Sequence, residues 1–414
     1  MASFSFACSE CGARFAEREV RYVCPTCARG QVPGAATRGV LRVELDEPPR
    51  RWPEEPLDSP GALAAFLPVH AAFIPPLPVG GTPLLSVPRL RREFGLRRLW
   101  LKDDGRNPSG STKDRASLLV VAKAIEYGCD TVATASTGNA ASALAAVAAS
   151  AALRAVVFVP ASAPAAKLVQ CAAYGARLVP IDGSYDAAFE LSLAACARFG
   201  WYNRNTAFNP FTIEGKKTAA LEIAAALAPE APDVVLVPCG DGVIVAGVAK
   251  GFADLARGGL INRPPRLVAV QPEGSAALAR ALRDGAAAVT PVESAHSVAD
   301  SLVVGTPRNA ALALREVRAS GGGGVIVSDA AIVAAIARLA AATGVFAEPA
   351  AAAVLAGLEA ALEQGLVGRD ERVVLLVTGS GLKDVAAAAR SVRIPEPVPA
   401  DLDAVAARLG GAAG

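Results

Sequence analysis

The sequence predicts an α/β protein: a three-layer αβα body of two domains with mostly parallel sheets. Three observations predict it. Short apolar runs rich in Val and Leu, at 155–160 (AVVFVP), 233–238 (DVVLVP) and 372–378 (RVVLLVT), are continuous rather than alternating. Strands buried on both faces read this way. Helical stretches flank each run, as in strand-helix-strand units. Glycine- and hydroxyl-rich turns follow several of them, at the strand ends where such sheets bind ligands.

Composition narrows the field. With 414 residues, 52% of them hydrophobic, the chain can bury two or three compact cores. A 19% charged content with 41 basic and 39 acidic residues leaves no surplus of charge for nucleic acid or an anionic membrane, and rules out a disordered chain. The longest apolar stretch, Ala140 to Leu153, contains Ser142 and Ser150 and stops at Arg154. It falls short of the ~20 apolar residues of a membrane span. The opening MASFSFACSECGARF lacks the basic and apolar regions of a secretory signal, so a cytoplasmic location and reduced or metal-bound cysteines are expected.

Four of the eight cysteines stand apart as Cys8-x2-Cys11 and Cys24-Pro-Thr-Cys27, with twelve residues between the pairs. Each pair can turn two thiolates toward one tetrahedral ion, so residues 1–40 read as a zinc-knuckle-like segment holding structural Zn²⁺ on Cys8, Cys11, Cys24 and Cys27. Cys129, Cys171, Cys196 and Cys239 lie singly in apolar surroundings and read as small buried hydrophobes. Residues 28–90 are proline-rich and read as an irregular arm around a later domain. From Leu99 strands alternate with helices: strands at 132–134, 155–160, 176–180, 233–238, 266–270 and 372–378, with helices from Asn139, over 166–174 and over 186–198. The expected division is a large domain over 41–124 and 206–390, a small inserted domain over 125–205, and a tail over 391–414 with at most a short helix at 401–409.

Four turns carry chemistry. Asn107-Pro-Ser-Gly-Ser-Thr-Lys113-Asp-Arg115 places Lys113 at the start of a helix. The positive helix end lowers an amine pKa, which suits a Schiff-base nucleophile. Taken alone, it could equally be a surface lysine on an ordinary first turn. Ser136-Thr137-Gly138-Asn139 offers hydroxyls, backbone amides and a side-chain amide at a helix start, an anion site or a plain helix cap. Gly240-Asp241-Gly242-Val243-Ile244 joins a strand to a helix in the manner of a phosphate cradle. Thr378-Gly379-Ser380-Gly381-Leu382-Lys383-Asp384 closes the last strand.

Together these turns resemble the fold type II enzymes dependent on pyridoxal 5'-phosphate (PLP). NPSGSTKDR is similar to the N-P-T-G-S-F-K-D-R lysine motif of the threonine synthase-like branch, with Thr112 where Phe is usual. STGN resembles the family's substrate-carboxylate loop. CGDGVI stands where a G-G-G-G-L or G-N-x-G-N loop holds the cofactor phosphate, and TGSGLKD resembles the branch's T-G-[NS]-G-L-K-D ending. Further similar stretches are 209–218, 270–275 and 348–350, so the likeness spans roughly residues 5 to 385.

The resemblance implies PLP held by Lys113 through its amine. It implies Asn139 at the cofactor's 3′-oxygen and backbone N–H groups of Gly240, Asp241, Gly242, Val243 and Ile244 at its phosphate. Thr378 would face the pyridine nitrogen, with Ser380 nearby. Ser136, Thr137 and Gly138 would take the α-carboxylate of a small amino-acid substrate, in what is expected to be a homodimer. Two departures bear on the substrate. Thr212 stands where the family's N-P-x-R-x-E-G segment has an Arg, and Asp241 where an Asn is expected. Lys102, Arg106, Arg204, Lys216 and Lys217 are the nearby cations that could substitute. The leading expectation is conversion of O-phospho-L-homoserine and water to L-threonine and phosphate. The alternatives are a threonine/serine ammonia-lyase, which needs no substrate phosphate site, and a cysteate synthase-like β-replacement enzyme.

Overall fold

The computed structural model describes residues 3–163 and 165–410. The end of the expected tail, 411–414, lies outside the described residues; before it runs a helix, Leu402–Gly410.

The chain opens with an antiparallel sheet of β1 (Phe4–Cys8), β2 (Arg14–Ala16) and β3 (Leu41–Leu45), in the order β2-β1-β3. Phe6 pairs with Phe15 on one side and Val43 on the other. The arm expected to be irregular is therefore partly regular. Within 28–90 lie β3, the helix Pro60–Phe66 and β4 (Leu84–Ser86). In β3, Leu41, Val43 and Leu45 are buried while Arg42 and Glu44 are less so, the alternation of a half-buried strand. The Ser59 hydroxyl caps the helix by accepting the Ala62 N–H, and Pro60 takes the first position, where its missing N–H costs nothing.

Two further sheets build the body. β4 and β5 (Arg98–Asp103) begin the larger one. The chain then makes a smaller sheet from β6 (Thr131–Ala135), β7 (Arg154–Pro160), β8 (Arg177–Ile181) and β9 (Tyr202–Asn203), ordered β8-β7-β6-β9 and all parallel. It returns to the larger sheet with β10 (Val234–Pro238), β11 (Arg266–Pro272), β12 (Gly323–Val327) and β13 (Arg372–Val377). The order there is β12-β11-β10-β13-β5-β4, with β4 the one antiparallel edge.

Burial on both faces explains the continuous apolar runs. Val234 and Leu236 enter one apolar cluster, Val235 and Val237 the opposite one, and Val373 and Val374 divide in the same way. Small residues let helices close on the sheet. A Cβ at Gly357 would fall 2.6 Å from a Val270 methyl. Of the single cysteines, Cys171, Cys196 and Cys239 are buried and Cys129 is half-buried.

The amino-terminal sheet packs on the body through Phe6, Leu41 and Val43, which share a cluster with Leu118 and Val121 of the helix Lys113–Glu126. The fold thus braces from behind the helix that Lys113 begins.

Candidate active site

The strand order brings distant turns together. β10, β13 and β5 are neighbours and parallel, so the turns after them, carrying Gly240–Ile244, Thr378 and the loop to Lys113, lie side by side at one edge. Backbone bonds join two of these turns. The Thr112 N–H donates to the Thr378 carbonyl at 2.8 Å, and the Ser380 N–H to the Gly110 carbonyl at 2.9 Å. The loop before Lys113 is held by Asp114, whose carboxylate accepts the Ser109 N–H at 2.7 Å and the Ser109 hydroxyl. Burial pushes the Asp114 carboxyl up to about 6.

A cavity of about 670 Å³ opens between the two parallel sheets. Lys113, Ser136, Thr137, Gly138, Asn139 and Asp241 all line it. A second cavity, of about 510 Å³, adjoins it through Gly138 and Asn139 and reaches Ser380. Lys113 is half-buried and opens to the larger cavity. Burial first, and the Arg204 charge second, hold its amine below the usual lysine range. Asn139 begins the helix Asn139–Ser150 and donates its amide to both Glu348 oxygens, at 2.9 and 3.0 Å. Gly242 sits at φ +82°, immediately before the helix Val243–Arg257, and a Cβ there would meet the Ala313 methyl at 2.6 Å. The Asp241 carboxylate accepts the Arg308 N–H at 2.9 Å. Thr378 is buried at the end of β13.

Comparison with known proteins agrees with this geometry. The sequence profile described as "Pyridoxal-phosphate dependent enzyme" matches residues 76–379. The chain belongs to that family. Within this PLP family it falls in the threonine synthase-like branch. It is 36% identical to the threonine synthase of Methanosarcina acetivorans over 99% of this chain and 100% of that one. It is 37% identical to that of Mycobacterium leprae, over 85% of this chain and 96% of the other. Among solved structures it resembles the T.th. threonine deaminase, with a TM-score of 0.61 and 27% identity over 76% of this chain and 94% of that one. It also resembles maize serine racemase, with a TM-score of 0.64 and 25% identity over 73% and 89%.

The residues present fit PLP. The cofactor needs an amine, an anion cradle for its phosphate and a polar partner for its ring. Lys113 is a cavity amine whose charge is disfavoured. The helix start at Val243 has N–H groups with no partner inside the helix and no side chain capping them. Thr378 follows β13, the strand between β5 and β10, and is buried there without lining either cavity.

The structure does not bring Thr212 to the cavity wall. Its side chain is fully buried, and its hydroxyl donates to the Asn209 carbonyl at 2.7 Å. Two contacts escaped sequence reasoning. Glu348 is the partner of Asn139, and Arg308 donates to the Ala35 carbonyl at 2.9 Å and pairs with Asp186 at the cavity. The Glu-Pro at the start of the helix Pro349–Glu363 is visible in sequence, but its partner 209 residues away is not.

In the amino-terminal module, the four cysteine sulfurs lie within 4.8 Å of one another. Cys8 and Cys27 are 3.8 Å apart, Cys11 and Cys24 3.9 Å. Tetrahedral thiolates at ~2.3 Å from a zinc would be ~3.8 Å apart. The cluster can hold a metal ion. Among the described residues no helix is long and apolar enough to cross a membrane.

Proposed function

We propose that this PLP-dependent lyase is a threonine synthase, converting O-phospho-L-homoserine and water to L-threonine and phosphate. The carrying observation is the convergence of Lys113, the 136–139 turn and Asp241 of the glycine turn on one cavity. Relatives named threonine synthase over nearly the whole chain support it.

PLP, when bound, supplies an electron sink for charge developing next to the amino-acid carbon. Lys113 holds the cofactor and then moves protons at Cα and Cβ of the substrate. Its burial favours the neutral amine that both tasks need. Ser136, Thr137 and Gly138 take the α-carboxylate at the positive end of the helix Asn139–Ser150. Asn139, held by Glu348, would lie beside the cofactor's 3′-oxygen. The N–H groups of 240–244 would hold the cofactor phosphate, and the Thr378 hydroxyl would be the polar partner of its ring nitrogen. The phosphate leaves from Cγ of the substrate, Cγ takes up a proton to become the methyl group, and the hydroxyl of a water adds at Cβ. Approach of the small domain over 125–205 to the large domain over 41–124 and 206–390 would exclude other water during chemistry.

One observation favours the ammonia-lyase reading: Thr212 supplies no cation and does not face the cavity. Assays of the purified holoprotein with O-phospho-L-homoserine, threonine and serine separate the two. Equal amounts of phosphate and threonine are expected from the ester. A 2-oxo acid from threonine, with no phosphate from the ester, would reverse the choice. The same proposal includes structural Zn²⁺ on the four cysteines, a homodimer and a cytoplasmic location. Metal analysis, sedimentation and cell fractionation test these in turn.

A further inference from the structure

Six of the largest fully buried side chains are cations: Arg115, Arg204, Lys102, Lys123, Lys216 and Lys217. Four are paired with carboxylates. Arg115 meets Asp104 and Glu222, Lys102 meets Glu222, Lys123 meets Glu17 and Glu126, and Lys217 meets Glu214 and Asp254. Among the described residues, Arg204 and Lys216 make no ion pair. These two, and none of the other four, line the Lys113 cavity.

Each is fixed by neutral contacts. The Arg204 Nε donates to the Ser117 hydroxyl at 3.2 Å, its backbone N–H donates to the Ala133 carbonyl at 2.8 Å, and Nη2 is buried with no partner. Lys216 closes the helix Phe211–Lys216, one turn after Thr212, and its amine reaches back to the Thr212 carbonyl at 3.2 Å. Burial holds the Arg204 guanidinium down to about 10 and the Lys216 amine well below its usual range, so the arginine stays charged at neutral pH. An unpaired buried cation is costly unless an anion joins it.

We infer that Arg204 and Lys216 form a second anion site in the cavity, which takes the phosphate ester of the substrate in place of the arginine missing at position 212. The cofactor's own phosphate has the helix start at Val243. A phosphate monoester carries nearly two charges at neutral pH and suits the Arg204 guanidinium together with the Lys216 amine, whose charged form a bound anion favours. The inference rests on the synthase reading for the identity of the ester, but the anion site can be tested without turnover.

The probe is inorganic phosphate, titrated into holoenzyme and followed by the cofactor absorbance and by inhibition. The variants are Arg204→Gln, Arg204→Lys and Lys216→Gln, with cofactor content and melting temperature measured alongside. Losing either cation is expected to weaken phosphate binding and raise KM for the ester by roughly 10- to 100-fold, the scale of a charge-assisted contact. Cofactor content should stay within about twofold, and Arg204→Lys should recover part of the loss. Should Arg204→Gln fail to fold, Lys216→Gln and Arg204→Lys carry the same comparison. Unchanged phosphate binding and KM in folded variants would overturn the inference while leaving the synthase reading intact. Loss of cofactor with KM unchanged in the loaded fraction would assign these cations to the cofactor and also overturn it. Phosphate binding that depends on Arg204, in an enzyme that releases no phosphate from the ester, would uphold the anion site and remove the synthase reading instead.

Discussion

Two buried charge clusters lie on opposite sides of the helix Lys113–Glu126, and they are built differently. Behind the helix, Arg115 bonds Asp104 at 2.7 Å and Glu222 at 2.5 Å, Lys102 meets the same Glu222 at 2.5 Å, and the Thr82 hydroxyl donates to Asp104 at 2.8 Å. Every charge there has a partner. In front, Lys113, Arg204 and Lys216 face a cavity and have no carboxylate in ion-pair contact among the described residues. A closed cluster holds the loop and helix in place. An open one waits for an anion. The residues 113 and 115 are two positions apart on one helix, so this division of labour follows from which face each side chain takes.

The largest effect should come from the open cluster. Lys113→Ala is expected to abolish the borohydride-reducible link to the cofactor and lower turnover by ~10³-fold or more. Mass spectrometry of the reduced protein checks it, and a cofactor adduct surviving in the variant would move the role to another lysine.

Next comes the closed cluster. Arg115→Met leaves Asp104 and Glu222 buried without their partner and should cost about 3–5 kcal/mol in denaturant unfolding. Arg204→Met in the cofactor-free protein should cost less than about 1 kcal/mol, because it removes an unpaired charge. Equal losses in the two variants would erase the distinction between open and closed.

Acid probes a second closed group. Burial alone would raise the Asp254 carboxyl, but Lys217 and Lys250 hold it down to about 2. Its folded pKa lies below its unfolded one, so its contribution is present above about pH 4 and lost as pH falls toward about 2. The loss should be about 2 kcal/mol, read as a falling unfolding midpoint across that window. An Asp254→Asn variant with the same acid profile would sink the assignment.

The last expected effect lies in the cysteine module. Cys24→Ser should remove one bound zinc per chain and cost on the order of 1–3 kcal/mol. Phe6, Leu41 and Val43 still pack on the Lys113 helix without the metal, which limits the damage. Freshly purified protein with no zinc would end that assignment.

Legibility followed the range of the interactions. The cysteine pairs were readable because three-residue spacing within a turn fixes where two thiolates point. The Lys113, Gly240–Ile244 and Thr378 turns were readable because each is a short strand-to-helix unit. The strand Leu41–Leu45 was hidden by surrounding prolines, and Gly323–Val327 by the glycines that begin it. Five cations were equal candidates in sequence to replace the arginine absent at 212. Arg106 is exposed, and Lys102 and Lys217 are committed to carboxylates, which leaves Arg204 and Lys216 at the cavity.

By itself, then, the amino-acid sequence determined the class of fold, the glycine- and hydroxyl-rich turns at the strand ends and the four cysteines that cluster, since each depends on residues a few positions apart. Only the tertiary structure decided which buried charges are spent and which are free to bind. Such pairing joins residues as far apart as Arg115 and Glu222, 107 positions along the chain, and a charge that far away leaves no local signal.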